Sequence, residues 1–431
     1  MPNSPADAQS AGWRSEPLLD GVVEVLDAVR LAGAGSRTEV ARRTRLSRAI
    51  VAQRIGELVE RGLLIEQGTR PSTGGRPPRQ LRFAAETGHL LLVDLGATSI
   101  AVALADLSGR ITAFAEEPAD IAWGPERIIG RVEALLEELR GRPEGAPGRL
   151  RGIGVGVPGP VEFRTGRPVA PPIMPGWDGY PIRERFTERY GAPTWVDNDV
   201  NILAAGEWRY GIARGHDNVV FIKVGTGIGA GLISDGQLHR GSQGAAGDVG
   251  HIGVADHRGV VCRCGNVGCL EALAGGAALA RDAEAAARDG RSRLLADVLA
   301  RDGHVTAEHV GWAAARGDAA SVELLQQAGR RIGSMLASIV NFFNPSLIII
   351  GGGVASAGDV LPAAIREVVH GRSLPLATRE LSIRRASLGA HGGVMGAAAM
   401  VLDELLTPER LAHWDADRPT GRELSMVAGD G

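Results

Sequence analysis

His251, Cys262, Cys264 and Cys269 form a C-x-C-x4-C pattern with a histidine eleven residues upstream, and they include every cysteine in the chain. Three thiolates and one imidazole fill a tetrahedron and leave no position for a catalytic water, so the set reads as a structural Zn2+ site. Inert buried thiols are the alternative. Gly265 and Gly268 would let the backbone turn tightly around such a centre. A second group carries carboxylates. In VDNDVN, at 196 to 201, Asn198 and Asp199 follow an expected strand at 194 to 196 and open a helical run over 200 to 210. A carboxylate at the carboxyl end of a strand in an open α/β sheet faces the ligand crevice. Asp199 there could take the proton from a sugar hydroxyl attacking a phosphate, or could merely cap the helix.

Glycine loops supply a third kind of chemistry. LLLVDLGATSIAVALADLSGRI begins at Leu90 and VVFIKVGTGIGAGLISDGQL at Val219, each in the order strand, Gly turn, strand, tight turn. The repetition predicts two α/β lobes facing a cleft, each contributing a loop whose N-H groups could hold phosphate. Single glycine turns would need no such role. PSLIIIGGGV, at 345 to 354, is a buried-type strand ending in three glycines, suited to a nucleotide or simply to turning. All basic residues but Lys223 are arginine, and Lys223 follows Ile222, so the Gly-Lys-Ser/Thr of a Walker loop is excluded.

The elements around these residues divide by charge. From 36 to 82 there are eleven arginines against four glutamates, a local balance of +7 in a chain whose net charge is -3, so the rest stands at -10. A basic module on an acidic body suggests nucleic acid for one part and another ligand for the other, although charge runs are commonly solvated faces. The apolar spacing of residues 22 to 31 predicts a helix, 38 to 44 a second, and Ser47 an N-cap for a third, with Ile50, Ile55, Leu58 and Val59 on its inner face and Arg48, Gln53 and Arg54 opposite. This is a helix-turn-helix spacing. Residues 63 to 65 and 81 to 83 would form a wing around a Gly/Pro/Arg-rich turn. Arg37, Ser47, Arg48, Gln53, Arg54, Arg70, Arg76 and Arg79 are the candidate DNA contacts, the wing arginines reaching phosphate or minor groove.

Length allows two to four domains. No run approaches the ~20 apolar residues of a membrane span, the start lacks signal-peptide features, and three clustered cysteines do not make a disulfide framework. A cytoplasmic protein with no membrane partner is expected. The expected division is a mobile stretch at 1–20, a DNA-binding domain at 21–83, a first lobe at 88–202 plus 390–405, a second at 203–389 carrying the metal site, and a polar tail at 406–431.

From about Gly21 to Leu402 the chain resembles the ROK family of repressors, open reading frames and sugar kinases. The most specific element runs from Cys262 to Glu271, matching C-x-C-G-x-x-G-C-x-E at every fixed position. Further matches are DLGATS at 94, GVPGPV at 156, MPGWDG at 174, DNDVN at 197, GTGIGAG at 225 and GAAGDVGHIG at 244. The resemblance implies a two-lobed α/β actin/hexokinase-like body preceded by a small α+β winged helix-turn-helix domain. It implies a sugar or sugar phosphate held by Asn198, Asp199, Asp248, His251 and Glu271, with one nitrogen of His251 on zinc and the other on a sugar hydroxyl. Asp199 would be the base in a kinase, with Asp94 at the phosphate-metal end. Gly96, Thr98, Gly225, Thr226, Gly227, Gly351 and Gly352 would form the nucleotide loops. Ala97 replaces a family glycine and puts a methyl where backbone must approach phosphate, which disfavours ATP and Mg2+. Asp248 replaces a glutamate and is one methylene short. Family members with a winged helix-turn-helix are regulators of sugar uptake and metabolism. The expectation is therefore an oligomeric repressor, dimer or tetramer, binding operator DNA. An ATP-dependent, glucokinase-like hexose kinase carrying a DNA-binding segment is the alternative.

Overall fold

Helix α1 (Val22–Arg30) buries Val22, Val25, Leu26 and Val29 along one face, as its apolar spacing requires. These are the first elements of a computed structural model that describes residues 21–69, 79–142, 148–254, 259–356 and 358–414. Ser36 caps α2 (Arg37–Thr44) by accepting from the Glu39 N-H, while the Glu39 carboxylate accepts from the Gly35 N-H. Arg45, at φ 59°, ends α2 in the left-handed region, and Ser47 accepts from the Ile50 N-H to start α3 (Arg48–Glu60). Strands β1 (Leu64–Thr69) and β2 (Arg79–Phe83) pair antiparallel. This first compact unit also takes in the chain from Leu405, where Pro408–Ala412 is helical and Leu411 and Trp414 are buried. The stretch read as a polar tail from 406 thus begins as packed structure, because its apolar residues, though few, find a core.

The inner face of α3 keeps the expected Ile55 and Leu58 but is otherwise turned from the one expected. Val51, Arg54, Ile55 and Leu58 are buried, at i, i+3, i+4 and i+7, whereas Ile50 and Val59 are exposed. Arg54 lies within this apolar stripe with its head folded onto Glu57 at 3.0 Å.

The second compact unit spans Gly88–Glu404. Its first sheet uses β3 (Gly88–Leu95), β4 (Ser99–Asp106), β5 (Ile111–Pro118), β6 (Arg149–Val157) and β9 (Thr194–Asn198) in the order β5-β4-β3-β6-β9. Between β6 and β9 lie a short pair, β7 (Val161–Glu162) and β8 (Arg167–Pro168), and helix α5 (Ile182–Tyr190). Helix α4 (Pro125–Arg140) packs Ile128, Val132, Leu136 and Leu139 into the core of this sheet. The second sheet, β10 (Val219–Val224), β11 (Ile228–Ser234), β12 (Gln237–Leu238), β13 (Leu347–Gly351) and β14 (Ser382–Arg385), has the order β12-β11-β10-β13-β14. In each, the successive strand pairs on one side of the first strand are antiparallel and those on the other side are parallel, the outcome expected of a duplicated unit.

Helix α6 (Asp199–Arg209) joins the halves. Its Val200 and Ala204 press on β11 where Gly229 and Gly231 leave no room for a Cβ. Its Gly206 meets the backbone of helix Gly392–Leu405, which packs in turn over Gly152 and Gly154 of β6. The boundary read between 202 and 203 therefore falls inside one continuous helix, since close packing at glycine ties α6 to both sides.

Candidate functional site

A cavity of about 620 Å3 lies between the two sheets. The end of β3 and the turn after it bring Asp94, Gly96 and Thr98 to it, β9 and α6 bring Asn198 and Asp199, and the turn after β10 brings Gly225, Thr226 and Gly227. Asp248, His251, Glu271 and Gly352 complete the expected lining. Gly351 does not line the cavity. A Cβ there would stand 2.5 Å from the Phe221 ring, so this glycine serves contact between β13 and β10. Gly352, at φ 94° and against the Val224 carbonyl, is where the chain turns away.

The helix cap in VDNDVN is Asn198. Its Oδ1 accepts from the Val200 N-H at 2.9 Å and its Nδ2 donates to the Gly159 carbonyl at 2.9 Å. One N-H and one oxygen lone pair of the amide are thereby used in fixing backbone, and Asp199 stands in the first turn of α6 with its carboxylate free of capping. Asp199 is buried and pairs with Lys223, whose Nζ donates to Oδ2. Burial pushes the Lys223 ammonium down, and the charges of Asp199 and Asp94 more than reverse that, so its pKa ends above the ordinary value. Burial pushes the Asp94 carboxyl up to about 7, with Lys223 pulling against it and Asp199 and Glu116 adding to it. Asp94 Oδ1 is shielded and accepts no hydrogen bond, and its Oδ2 lies where a Cβ on Gly393 would be.

Glu271 Oε2 accepts from the Ile228 N-H at 3.0 Å and sits so close to Gly227 that no side chain fits there. His251 Nε2 lies 3.9 Å from the exposed Asp248 carboxylate. Its Nδ1 lies 3.5 Å from Cys262 Sγ, Cys264 and Cys269 Sγ are 3.7 Å apart, and one ligand atom from each of the four residues falls within 4.8 Å of the others. Zn-S bonds of ~2.3 Å in a tetrahedron put sulfurs about 3.8 Å apart, so the donor set fits a divalent cation. Burial pushes the Cys269 thiol up to about 12, while the Asn266 backbone holds Cys264 below the usual range. A cation would supply the positive charge that removal of these protons requires. Gly265 and Gly268, both at positive φ, and the Cys262 N-H to Asn266 carbonyl bond of 2.7 Å fold the loop.

Two residues of this region were not anticipated. Alternation along β10 puts Lys223 on the face of Val219 and Phe221, toward α6, a period-two signal that was available in the sequence. Arg240 carries no comparable local signal. Its Nε donates to Asp197 Oδ2 at 2.7 Å and its guanidinium lies 3.7 Å from the Phe163 ring centroid. Asp197, 2% exposed, also accepts from the Asn198 N-H and Asn201 Nδ2.

Among the expected DNA contacts, Arg48 and Gln53 are exposed on α3, with Gln53 donating to Glu57 at 3.0 Å. Ser47 accepts the Ile50 N-H on its hydroxyl oxygen as the cap and keeps its O-H as a donor, and Arg37 pairs with Glu66 of β1. Arg54 is buried and paired, and does not face outward, because α3 turns its 51-54-55-58 stripe inward. Arg70 and Arg76 lie outside the described residues, as does the side chain of Arg79 at the start of β2.

The ROK family profile matches residues 90–404, which is most of the chain and nearly all of the second unit. The chain belongs to the ROK family. Among ROK proteins it is 30% identical over 374 residues to the xylose repressor of Caldicellulosiruptor bescii, covering 86% of this chain and 92% of that one. It is 33% identical over 309 residues to a glucokinase of Halalkalibacterium halodurans, covering 72% and 93%. A solved ROK family transcriptional regulator, described as a homolog of the E. coli MLC protein, aligns with a TM-score of 0.78 at 26% identity over 93% of this chain and 99% of that one. The two regulators cover more of the chain than the ROK profile does, and the glucokinase does not. Among the described residues no helix is long and apolar enough to cross a membrane.

Proposed function

We propose that this ROK protein is a sugar-responsive transcriptional repressor. The observation that carries the reading is the α1–α3, β1–β2 unit, a helix-turn-helix with a two-stranded wing, on a chain whose repressor relatives match well beyond the ROK body. In this reading the exposed start of α3, with Arg48 and Gln53, enters the major groove of an operator, and Arg37, Ser47 and the wing arginines Arg70, Arg76 and Arg79 approach phosphates. The protein acts as a homo-oligomer, because one such module reads too few base pairs to be selective.

Asn198, Asp199, Asp248, His251 and Glu271 hold a sugar in the cavity, and a structural Zn2+ on His251, Cys262, Cys264 and Cys269 fixes the loop that presents His251 and Glu271. Sugar and operator favour different states of the protein, so each weakens the other by a coupling of typically about 1–3 kcal/mol. Binding of full-length protein to DNA upstream of its own gene, with and without sugars, tests the reading: sugar-dependent release supports it, and failure to bind any such DNA at low salt refutes it.

A kinase is the second reading, favoured by the presence of Asp94, Asp199 and the 225–227 loop in one cavity. Turnover of ATP and a hexose, abolished in Asp199→Asn, would establish it.

A further inference from the structure

The chain meets its need for positive charge with arginine at every basic position except one, and that one, Lys223, stands in the cavity between the sheets. Lysine is a compact point charge on a flexible stem where arginine is a broad planar fork, so the exception marks a place that needs a small cation. Lys223 Nζ donates to Asp199 Oδ2, within the field of Asp94. An acid-binding partner is called for here. Asp199 is 3% exposed, and Asp94 Oδ1 is shielded and without a hydrogen bond. Asp94, beside the glycine loop after β3, is the carboxylate from which a metal-nucleotide would draw an oxygen ligand, and Asp199 at the start of α6 lines the same cavity. The Lys223 ammonium, held on Asp199, already places a positive charge in the field of Asp94 and opposes a second cation there, and Ala97 adds a methyl to the loop after β3. The residues present therefore do not fit Mg2+ and a nucleoside triphosphate.

The cavity's charge points the same way. Asp94, Glu116, Asp199, Asp248 and Glu271 line it, and no arginine does among the described residues, leaving Lys223 as its one permanent cation. A phosphate ester would bring two more negative charges into an acidic cleft. A neutral polyol needs only the hydrogen-bond acceptors that the carboxylates provide.

We propose that Lys223 is the resident cation of this cleft, taking the place of a metal-nucleotide between Asp94 and Asp199, and that the cleft consequently holds an uncharged sugar rather than a sugar phosphate. The ligand half rests on the effector reading above, and the cation half does not.

Manganese with the non-hydrolysable ATP analogue AMPPNP is the probe for the cation half, followed by electron paramagnetic resonance on the full-length protein. Wild type takes up no Mn2+-AMPPNP at about 1 mM, and Lys223→Gln binds it at least about tenfold more tightly. Equal binding by the two proteins, or none by either, overturns the proposal. Should the variant fold poorly, the wild type suffices: its one lysine gives a single 15N side-chain signal, which stays sharp when Mn2+-AMPPNP is added, and paramagnetic broadening would refute the assignment. Thermal shifts with glucose, xylose and N-acetylglucosamine against glucose 6-phosphate and N-acetylglucosamine 6-phosphate test the ligand half. Stabilisation by an unphosphorylated sugar alone is expected, and stabilisation by a 6-phosphate contradicts it. If no sugar shifts the melting point, the effector reading and the ligand half fall together, while the manganese result still decides the role of Lys223.

Discussion

Replacing Arg240 by alanine removes a side-chain cation paired with a buried carboxylate that borders the site. Asp197 is 2% exposed at the end of β9, and the Arg240 side chain is 23% exposed in the loop after β12. Breaking a buried pair by removing one partner costs about 3–5 kcal/mol, mostly because the other charge is left uncompensated. Two features reduce that figure. Asp197 keeps the Asn198 N-H at 2.7 Å and Asn201 Nδ2 at 2.8 Å, and the partly exposed Arg240 already meets water. One adds to it, since stacking of the guanidinium over Phe163 is worth about 0.5–1 kcal/mol at such a position. The expected loss is about 2–4 kcal/mol. Urea unfolding followed by tryptophan fluorescence measures it, and Asp197→Asn alone and in combination closes a double-mutant cycle. The two changes should couple strongly. A loss below about 0.5 kcal/mol for Arg240→Ala, or simple additivity with Asp197→Asn, would show that the pair does not stabilise the fold. Because the same loop leads to Asp248 and His251, sugar affinity should fall with stability.

Unfolded, Asp94 ionises near its ordinary value of 3.8, and folded only near about 7, so between these values the folded state alone keeps the proton. Its contribution is therefore full below pH 4 and is lost as the pH rises to about 7. Asp94→Asn should flatten that decline and gain on the order of 2–4 kcal/mol relative to wild type across the interval, read from denaturation midpoints at several pH values. A constant offset between the two proteins would contradict it. Stripping the proposed zinc with a strong chelator should lower the melting temperature by on the order of 5–10 °C, with metal analysis giving one zinc per chain beforehand. On α3, Arg48→Ala with Gln53→Ala should cost about 1–3 kcal/mol of operator selectivity for each base edge no longer read, while Arg54→Ala should lower stability and leave selectivity intact. Retained selectivity in the double variant would remove α3 from the recognition role.

The sequence carried the features that depend on local spacing. The cysteine cluster sits on one short loop, the two strand-turn-strand repeats announce two sheets of one topology, and the capping Ser47 marks the start of α3. What depended on tertiary packing was harder to read. Residues 50, 55, 58 and 59 of α3 are as apolar as 51, 55 and 58, and only the partners offered by α1, α2 and the wing decide which stripe turns inward. That choice buried Arg54 and withdrew it from the DNA face. Gly351 looked like its neighbour Gly352, yet Phe221, distant in sequence, closes over it. The Arg240 to Asp197 pair spans 43 residues and two sheets. Lys223 was visible both as the one lysine and by strand alternation. Its partner Asp199 could be recognised only once α6 was placed against β10.

The coupling between operator and sugar is measured by reciprocal titration. Fluorescence anisotropy gives the affinity of full-length protein for DNA upstream of its gene, with and without a saturating concentration of the sugar that stabilises it. Calorimetry then gives the affinity for that sugar with and without the DNA. The sugar should weaken DNA binding by about 5- to 150-fold, and DNA should weaken sugar binding by the same factor. DNA affinity unchanged by a sugar that binds, or turnover of that sugar with ATP, would contradict it.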